Sequence, residues 1–273
     1  MPHLMSRREA FLDRQASLVA ESTVLVGGRS VRVWTAGSGP AVLLLTGPGR
    51  GARADAALLL PMLARRRRVA ALELADLADP WEDGPAAVAA VLDLLQAAEA
   101  VVVGHSLGAA VAVRAATSEP RIRALALVAG WAAPTERLIT SARLWARVDA
   151  AARADLSRVL AVRSLAELGP ERTPPFGSGA EVLLAAAVRA DVSAAAAGLR
   201  VPVLVVGCTA DSVVGIEGAH ALLGTIDDAR FAEVDSGHAV LAERPAELLA
   251  VLEHFLADPS RDAPGSVLPR MSV

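Results

Sequence analysis

The chain has 273 residues, of which 53% are hydrophobic, and its formal net charge is −3. This length suits one large α/β domain, and the small charge gives no electrostatic preference for nucleic acid or an anionic membrane. No apolar run approaches the roughly 18 uncharged residues that a membrane-spanning helix needs, so we expect neither nucleic acid nor a membrane as a partner.

Residue usage is strongly biased, because lysine, asparagine and tyrosine are absent and all 27 basic residues are therefore arginine. Together with abundant alanine, this bias indicates a high-GC bacterium. The single cysteine, Cys208, excludes an internal disulfide and is consistent with a reducing compartment. We expect no metal and no cofactor, because the chain has neither a Cys/His cluster with ligand spacing nor a glycine-rich nucleotide-binding loop.

The first half of the chain predicts short apolar strands that alternate with helices. Residues 1–21 predict an N-terminal helical segment whose charged residues interrupt any signal-peptide-like apolar region, so we expect a cytoplasmic protein. The elements predicted next are a hairpin over Ser22–Thr35, a strand over Ala41–Thr46, a helix over Ala54–Arg65, a strand over Val69–Leu74 and a helix over Pro85–Ala98. This alternation favours a parallel sheet flanked by helices.

A Gly-x-Ser-x-Gly pentapeptide, Gly104-His105-Ser106-Leu107-Gly108, lies between an apolar run and an alanine-rich helical pattern. In this strand–turn–helix context a serine is held on a strained turn with its hydroxyl exposed above the sheet. A serine hydroxyl becomes a good nucleophile when a base takes its proton and an acid orients that base. Ser106 is therefore the candidate nucleophile.

Two later strands each end in a candidate partner for Ser106. The strand Val201–Gly207 leads into Asp211, and the strand Ala229–Val234 leads into His238. Active groups of open α/β sheets gather at the carboxyl ends of the strands, so these side chains are expected to meet. Asp211 could instead cap the helix that follows it. The alternative acids are Asp76, Asp79 and Asp235.

These motifs, together with Glu243-Arg244-Pro245 at the start of a last helix, make the chain resemble the α/β-hydrolase fold family from about Val24 to Leu256. The resemblance implies a mostly parallel central sheet flanked by helices, with a helical lid inserted after the strand that follows the serine turn. It also implies the roles of the three polar residues. Ser106 would be the nucleophile, His238 the general base and acid, and Asp211 the group that orients His238.

The resemblance further implies an oxyanion hole made of two main-chain N–H groups, one of which is that of Leu107. The second comes from the loop after the third strand, where relatives carry His-Gly-x and this chain has Thr46-Gly47-Pro48. If Pro48 occupies position x, it has no N–H to donate. A shift of one residue would let Gly47 donate instead, and the sequence leaves both registers open.

Residues 131–200 show helical periodicity with a Gly/Pro-rich break at Gly169–Gly179, and they predict the helical lid. Leu138, Ala142, Trp145 and Val148 share one helix face. That face either packs against the core or covers a hydrophobic substrate pocket. The predicted pocket residues are Pro48, His105, Trp131, Leu138 and Trp145.

The predicted organisation is an N-terminal helical segment (1–21), an α/β-hydrolase core (22–130 and 201–257), a helical lid (131–200) and a flexible tail (258–273). The expected activity is hydrolysis of an ester, thioester or lactone in a hydrophobic small molecule through an acyl-enzyme. One alternative is a lyase, cyclase or acyl transferase acting on a hydrophobic secondary metabolite, which a blocked oxyanion hole would favour. The other is a small-molecule receptor that binds without turnover.

Overall fold

The computed structural model describes residues 18–160, 177 and 179–270. Most of the predicted N-terminal helical segment (1–21) and of the Gly/Pro-rich break (169–179) therefore lies outside the described residues. Ala20 and Glu21, the last two residues of that segment, are in the first strand instead of a helix. None of the helices in these described ranges is both long and apolar enough to cross a membrane.

Eight strands form one sheet, and most of them are the short apolar runs expected of strands buried on both faces. The order across the sheet is β1-β2-β4-β3-β5-β6-β7-β8, with antiparallel pairing of β1 with β2 and of β2 with β4, and parallel pairing elsewhere. The prediction of a mostly parallel central sheet is confirmed. The strands are β1 (Ala20–Val26), β2 (Arg29–Ala36), β3 (Ala41–Leu45), β4 (Arg68–Leu72), β5 (Ala100–His105), β6 (Ile122–Val128), β7 (Val203–Cys208) and β8 (Ala229–Val234).

Helices cover both faces of the sheet, and two hydrophobic clusters of buried residues fill the layers between. The described helices are α1 (Ala52–Asp55), α2 (Leu59–Leu63), α3 (Pro80–Leu94), α4 (Leu107–Ala116), α5 (Glu136–Arg147), α6 (Ala150–Val159), α7 (Ala180–Ala187), α8 (Ser193–Ala197), α9 (Ile216–Thr225), α10 (Val240–Glu243) and α11 (Pro245–Ala257). Leu43 and Val102 on one face and Val69 and Leu204 on the other are fully buried.

Two predicted helices have different bounds in the structure. The single helix predicted over Ala54–Arg65 is two short helices, α1 and α2. Pro61 explains the break, because it has no N–H to bond the preceding turn and is tolerated only near the start of a helix. The helix predicted from Pro85 begins at Pro80, since the Asp79 carboxylate accepts the N–H groups of Trp81 and Glu82 and caps it there.

The chain between β6 and β7 carries α5 to α8, and we refer to residues 129–202 as the insertion. The insertion is attached to the core by polar contacts as well as by apolar packing. The Arg189 guanidinium lies 2.9 Å from the Asp79 carboxylate at the start of α3. Within the insertion, the Trp131 indole N–H donates to the Ala190 carbonyl at 2.9 Å.

Part of the tail that the sequence predicts as flexible (258–273) pairs with β8. Phe231 in β8 donates its N–H to Ser266 and accepts the N–H of Leu268, whose side chain is buried. These bonds cover the outer edge of β8 and extend the sheet locally. Residues 271–273 lie outside the described residues.

Candidate active site

Ser106 occupies the sharp turn between β5 and α4, with a positive φ of 56°. Such a backbone conformation costs a non-glycine residue of order 1–3 kcal/mol and persists only where neighbours hold it. Here the Ser106 N–H donates to the Val128 carbonyl of β6 at 2.9 Å. Gly104 lets β5 and α4 approach each other, since a Cβ on Gly104 would collide with the Gly108 main chain, and Gly108 lets α4 approach β3, since a Cβ there would collide with the Leu45 main chain.

The three side chains predicted from separate strand ends meet in the structure. The His238 ring lies between the other two, with Nδ1 at 2.8 Å from Asp211 Oδ2 and Nε2 at 2.9 Å from Ser106 Oγ. All three side chains are buried. The arrangement is a continuous chain of hydrogen bonds that ends at a serine hydroxyl, which is the geometry that activates a hydroxyl as a nucleophile.

Asp211 is held in its ionised form by its surroundings. Burial raises its pKa, but the charge and hydrogen bond of His238 and the N–H groups of Val214 and Val213 outweigh burial, so the pKa lies below its usual value. Both of these N–H groups donate to Oδ1 at 2.8 Å, which leaves Oδ2 for His238. Asp211 therefore both caps the turn after β7 and contacts the histidine.

The alternative acids and the other described histidines have different partners. Asp76 binds the Arg32 guanidinium, Asp79 caps α3 and pairs with Arg189, and Asp235 accepts the Thr209 hydroxyl at 2.8 Å. The His220 ring packs on Phe231, and His254 bonds Asp262. Among the four candidate acids, Asp211 is the one bonded to the His238 ring.

The loop after β3 places Gly47 against the serine. A Cβ on Gly47 would lie 2.9 Å from the Leu107 nitrogen and 3.0 Å from Ser106 Oγ, closer than a side chain tolerates. The Leu107 N–H belongs to the first residue of α4 and has no acceptor within its helix. Two carboxylates support the loop: the half-buried Asp55 accepts the Arg50 N–H at 3.0 Å, and the buried Glu73 accepts the Ala52 N–H at 2.9 Å.

A cavity of about 240 Å³ opens above Ser106 and His238, between the sheet and the insertion. Its lining is apolar apart from the hydroxyls of Ser106, Ser141 and Ser212 and the ring of His238. The remaining lining residues are Pro48, Leu138, Ala142, Leu144, Trp145, Leu156, Leu160, Leu184, Ala187 and Val213. An apolar cavity with a few polar groups at one end is typical of small-molecule sites.

Two residues predicted for the pocket lie elsewhere, whereas Pro48, Leu138 and Trp145 line the cavity. The His105 side chain lies with Val103 and Leu248, away from the cavity. It is on the same sheet face as Val103 because the side chains of successive strand residues alternate between the two faces. Trp131 is buried in the core. Leu184 and Ala187 also line the cavity and were not among the predicted pocket residues, although their spacing of three residues on α7 is a signal for one helix face.

Other chemistry-bearing groups in the described ranges do not form a second centre here. No group of three or more His, Cys, Asp or Glu side chains among these residues is arranged to hold a metal ion. Burial raises the pKa of the Cys208 thiol well above its usual value, so the thiol stays protonated and packs as a small apolar group.

The family model of the alpha/beta hydrolase family matches residues 16–251, which is most of the chain. The protein is an α/β hydrolase. The prediction of this family is confirmed, and with it the fold of a mostly parallel sheet flanked by helices.

Individual relatives of this α/β hydrolase have low sequence identity to it, but the matched region covers nearly the whole length of each relative. The pyrrolizixenacetamide deacetylase of Xenorhabdus hominickii is 27% identical over 268 residues, which cover 88% of this chain and 99% of that protein. The enol-lactonase from Burkholderia xenovorans LB400 is 22% identical with a TM-score of 0.74, covering 87% of this chain and 100% of that one. A thermophilic esterase from Thermogutta terrifontis is 21% identical with a TM-score of 0.71, covering 88% and 99%. The two solved structures share the fold of this α/β hydrolase.

Proposed function

We propose that this α/β hydrolase is a serine hydrolase that cleaves an ester, thioester or lactone bond in an apolar small molecule through an acyl-enzyme. The observation that carries the proposal is the hydrogen-bonded chain Asp211–His238–Ser106 at the base of an apolar cavity. The fold alone does not determine the reaction, because α/β-hydrolase folds host many chemistries.

In the first half of the reaction, Ser106 Oγ attacks the substrate carbonyl carbon while His238 Nε2 takes the hydroxyl proton. Asp211 keeps the other ring proton on Nδ1, which leaves Nε2 free to accept. When the tetrahedral intermediate collapses, the carbonyl re-forms and the bond to the leaving oxygen or sulfur breaks. His238 returns its proton to that leaving atom, and the acyl group remains on Ser106.

In the second half, a water molecule attacks the acyl carbon while His238 Nε2 takes one of its protons. The second tetrahedral intermediate then expels Ser106 Oγ, which regains its proton from His238. The products are a carboxylic acid and the unchanged enzyme. For a lactone, the acid and the alcohol remain in one molecule.

We assign the oxyanion hole to the N–H groups of Leu107 and Gly47. Gly47 lies so close to the serine turn that an added Cβ would be 3.0 Å from Ser106 Oγ, and Pro48 lines the cavity without an N–H to offer. Two such donors stabilise the negative charge that develops on the substrate oxygen, and loss of one costs about 10²–10³ in rate.

We further assign the insertion as the lid of this cavity. Leu138 and Trp145 of α5 and Leu184 of α7 supply apolar lining opposite Ser106. No Asp, Glu or Arg side chain among the described residues lines the cavity, which favours a neutral, apolar substrate.

A second candidate activity is removal of an acetyl group from an amide. The support comes from the Xenorhabdus relative, whose name describes a deacetylase and which this chain matches over 88% of its length. The same residues would act, with His238 protonating a leaving nitrogen in place of oxygen.

The test is turnover of a panel of neutral apolar substrates that differ in the bond cleaved: aryl esters, thioesters, lactones and N-acetyl anilines. We expect hydrolysis of at least one class, and loss of at least about 10³-fold in kcat for Ser106→Ala. Ser118→Ala, which changes an exposed serine at the end of α4, serves as the matched control and should retain the activity.

The same panel separates the alternatives. Hydrolysis confined to the N-acetyl anilines would support the deacetylase candidate over the esterase. Turnover that survives Ser106→Ala would contradict the proposed mechanism. A well-folded parent that binds panel members without turnover would contradict the proposal and favour a receptor.

A further inference from the structure

His105 is a buried histidine that the proposed reaction leaves without a role. It ends β5, directly before Ser106, and its side chain lies with Val103 and Leu248 and does not line the substrate cavity. Its Nε2 is 2.9 Å from the main-chain carbonyl oxygen of His238, which is 133 positions away in the chain. The centres of the two imidazole rings are 5.2 Å apart.

This contact fixes the protonation state of His105. A carbonyl oxygen can only accept, so Nε2 of His105 must carry a hydrogen and donate it. Burial, followed by the neighbouring His238, lowers the pKa of His105 to about 4. The ring is therefore neutral near pH 7 and keeps its Nε2–H while His238 gains and loses a proton.

The loop that carries His238 is also held from its other side. The buried Glu243 carboxylate accepts the Gly237 N–H at 2.7 Å and the Ser236 hydroxyl at 3.0 Å. Glu243 thus anchors the two residues before His238, and the carbonyl of His238 itself is held by His105.

We propose that His105 is a positioning residue that sets the distance between Ser106 and His238. This inference rests on the proposed function. Adjacent residues of the serine turn bind the same histidine at two points: Ser106 meets its ring, and His105 meets its main chain. Without the second point, rotation of the His238 backbone would move Nε2 relative to Ser106 Oγ. A misplacement of about 1 Å costs on the order of 10²-fold in rate.

The test compares His105→Leu with His105→Gln in the full-length protein. Leucine keeps apolar bulk at this buried position but has no donor, whereas glutamine places an amide N–H at a similar reach. The measurements are kcat and KM on the best substrate of the panel, the second-order rate at which a fluorophosphonate modifies Ser106, and the thermal midpoint.

We expect His105→Leu to lower both kcat and the modification rate by about 10- to 100-fold. KM should stay within about threefold of the parent, because the substitution changes the geometry of the reacting atoms and not substrate binding. His105→Gln should stay within about fivefold of the parent, because it restores the donor. Full rates in His105→Leu would overturn the inference. Equal losses in both folded variants would also overturn it, since the donor would then not matter.

An NMR measurement on the parent protein needs no variant. Long-range ¹H–¹⁵N spectra of the imidazole nitrogens should show His105 as the neutral Nε2–H tautomer at about pH 6 and above, because its pKa is near 4. A proton on Nδ1 alone, or a charged ring at about pH 6, would overturn the inference. These outcomes are separate from failure of the proposed function, which would appear as a parent protein whose Ser106 is not modified at all.

Discussion

Asp211 performs two tasks with its two oxygens, and this division determines what its substitution should do. Oδ1 accepts the N–H groups of Val213 and Val214, and Oδ2 holds the Nδ1 proton of His238. Asparagine in place of Asp211 keeps an acceptor for the turn but presents an N–H₂ group to the histidine. The ring must then carry its proton on Nε2, where it cannot take the proton of Ser106.

We therefore predict that Asp211→Asn lowers kcat by about 10³–10⁴-fold, as loss of the correct tautomer does in other serine triads, while the protein stays folded. Steady-state kinetics and the thermal midpoint test this. The matched control is Asp76→Asn, which changes another of the candidate acids, one that pairs with Arg32 away from His238. Equal activity in Asp211→Asn and the parent would refute the role of Asp211.

Functional residues could be predicted from the sequence where a local motif marks them, and not where their role depends on a partner far away in the chain. Ser106 is flagged by its own pentapeptide, and Asp211 and His238 follow strands in the expected order. The bond between His105 and the His238 carbonyl joins residues 133 positions apart, and no local pattern encodes it. The resemblance already favoured Asp211 over Asp76, Asp79 and Asp235, and the 2.8 Å contact between Asp211 Oδ2 and His238 Nδ1 agrees with that choice.

Helix α5 contributes some residues to the cavity lining and leaves others exposed, so matched substitutions can separate the two. Ala142 lines the cavity, whereas Ala146, one turn later on the same helix face, is exposed and does not line it. We predict that Ala142→Leu lowers kcat/KM for long acyl esters by about 10-fold or more and leaves acetyl esters within about threefold, because the added carbons fill space that a long acyl chain would use.

A chain-length series of aryl esters measures this effect, and Ala146→Leu should leave the whole series close to the parent. An unchanged series in Ala142→Leu would show that substrates do not occupy the space beside α5.

The loop after β3 depends on Glu73, whose pKa is raised by burial despite the Ala52 and Ala75 N–H groups that lower it. A carboxyl group with a raised pKa in the folded state contributes stability below its unfolded pKa of about 4.3 and loses it as the pH rises through the folded value. Glutamine does not titrate. We predict that the stability of Glu73→Gln relative to the parent becomes more favourable as the pH rises from about 4 to about 7.

Urea denaturation of both proteins at several pH values measures this difference. A difference in free energy of unfolding that stays constant across the range would contradict the prediction for Glu73.

Strands were more predictable than helices in this chain, for a physical reason. Buried parallel strands are short, continuous apolar runs. The runs at Ala41–Leu45 and Val203–Cys208 are of this kind, so the sequence indicates strands there directly. Helix bounds depend on caps and on proline placement, so the Asp79 cap moved the start of α3 and Pro61 divided a predicted helix. The cavity lining from α7 depends on how the insertion packs, which the helical pattern alone does not specify.

For the whole molecule, the sheet is completed by residues far from the serine turn. The chain after α11 returns to β8, where Leu268 is buried and its neighbour Val267 is exposed. This contact is non-local, which explains why the sequence of the tail predicted flexibility instead.

We predict that Leu268→Ala lowers the free energy of unfolding by about 2 kcal/mol or more, as for a buried leucine replaced by alanine. Val267→Ala, at the adjacent exposed position, should change it by less than about 0.5 kcal/mol. Chemical denaturation measures both variants. Equal effects in the two would show that the tail does not pack on β8.

The most direct test of Ser106 as an activated nucleophile is its stoichiometric modification by a fluorophosphonate near neutral pH, read by intact mass and peptide mapping. We expect one adduct on Ser106 in the parent and in Ser118→Ala, none in Ser106→Ala, and slow modification in His238→Ala. Absence of any adduct on the folded parent, with a small probe as well as a large one, would contradict the claim that Asp211 and His238 activate Ser106 as a nucleophile.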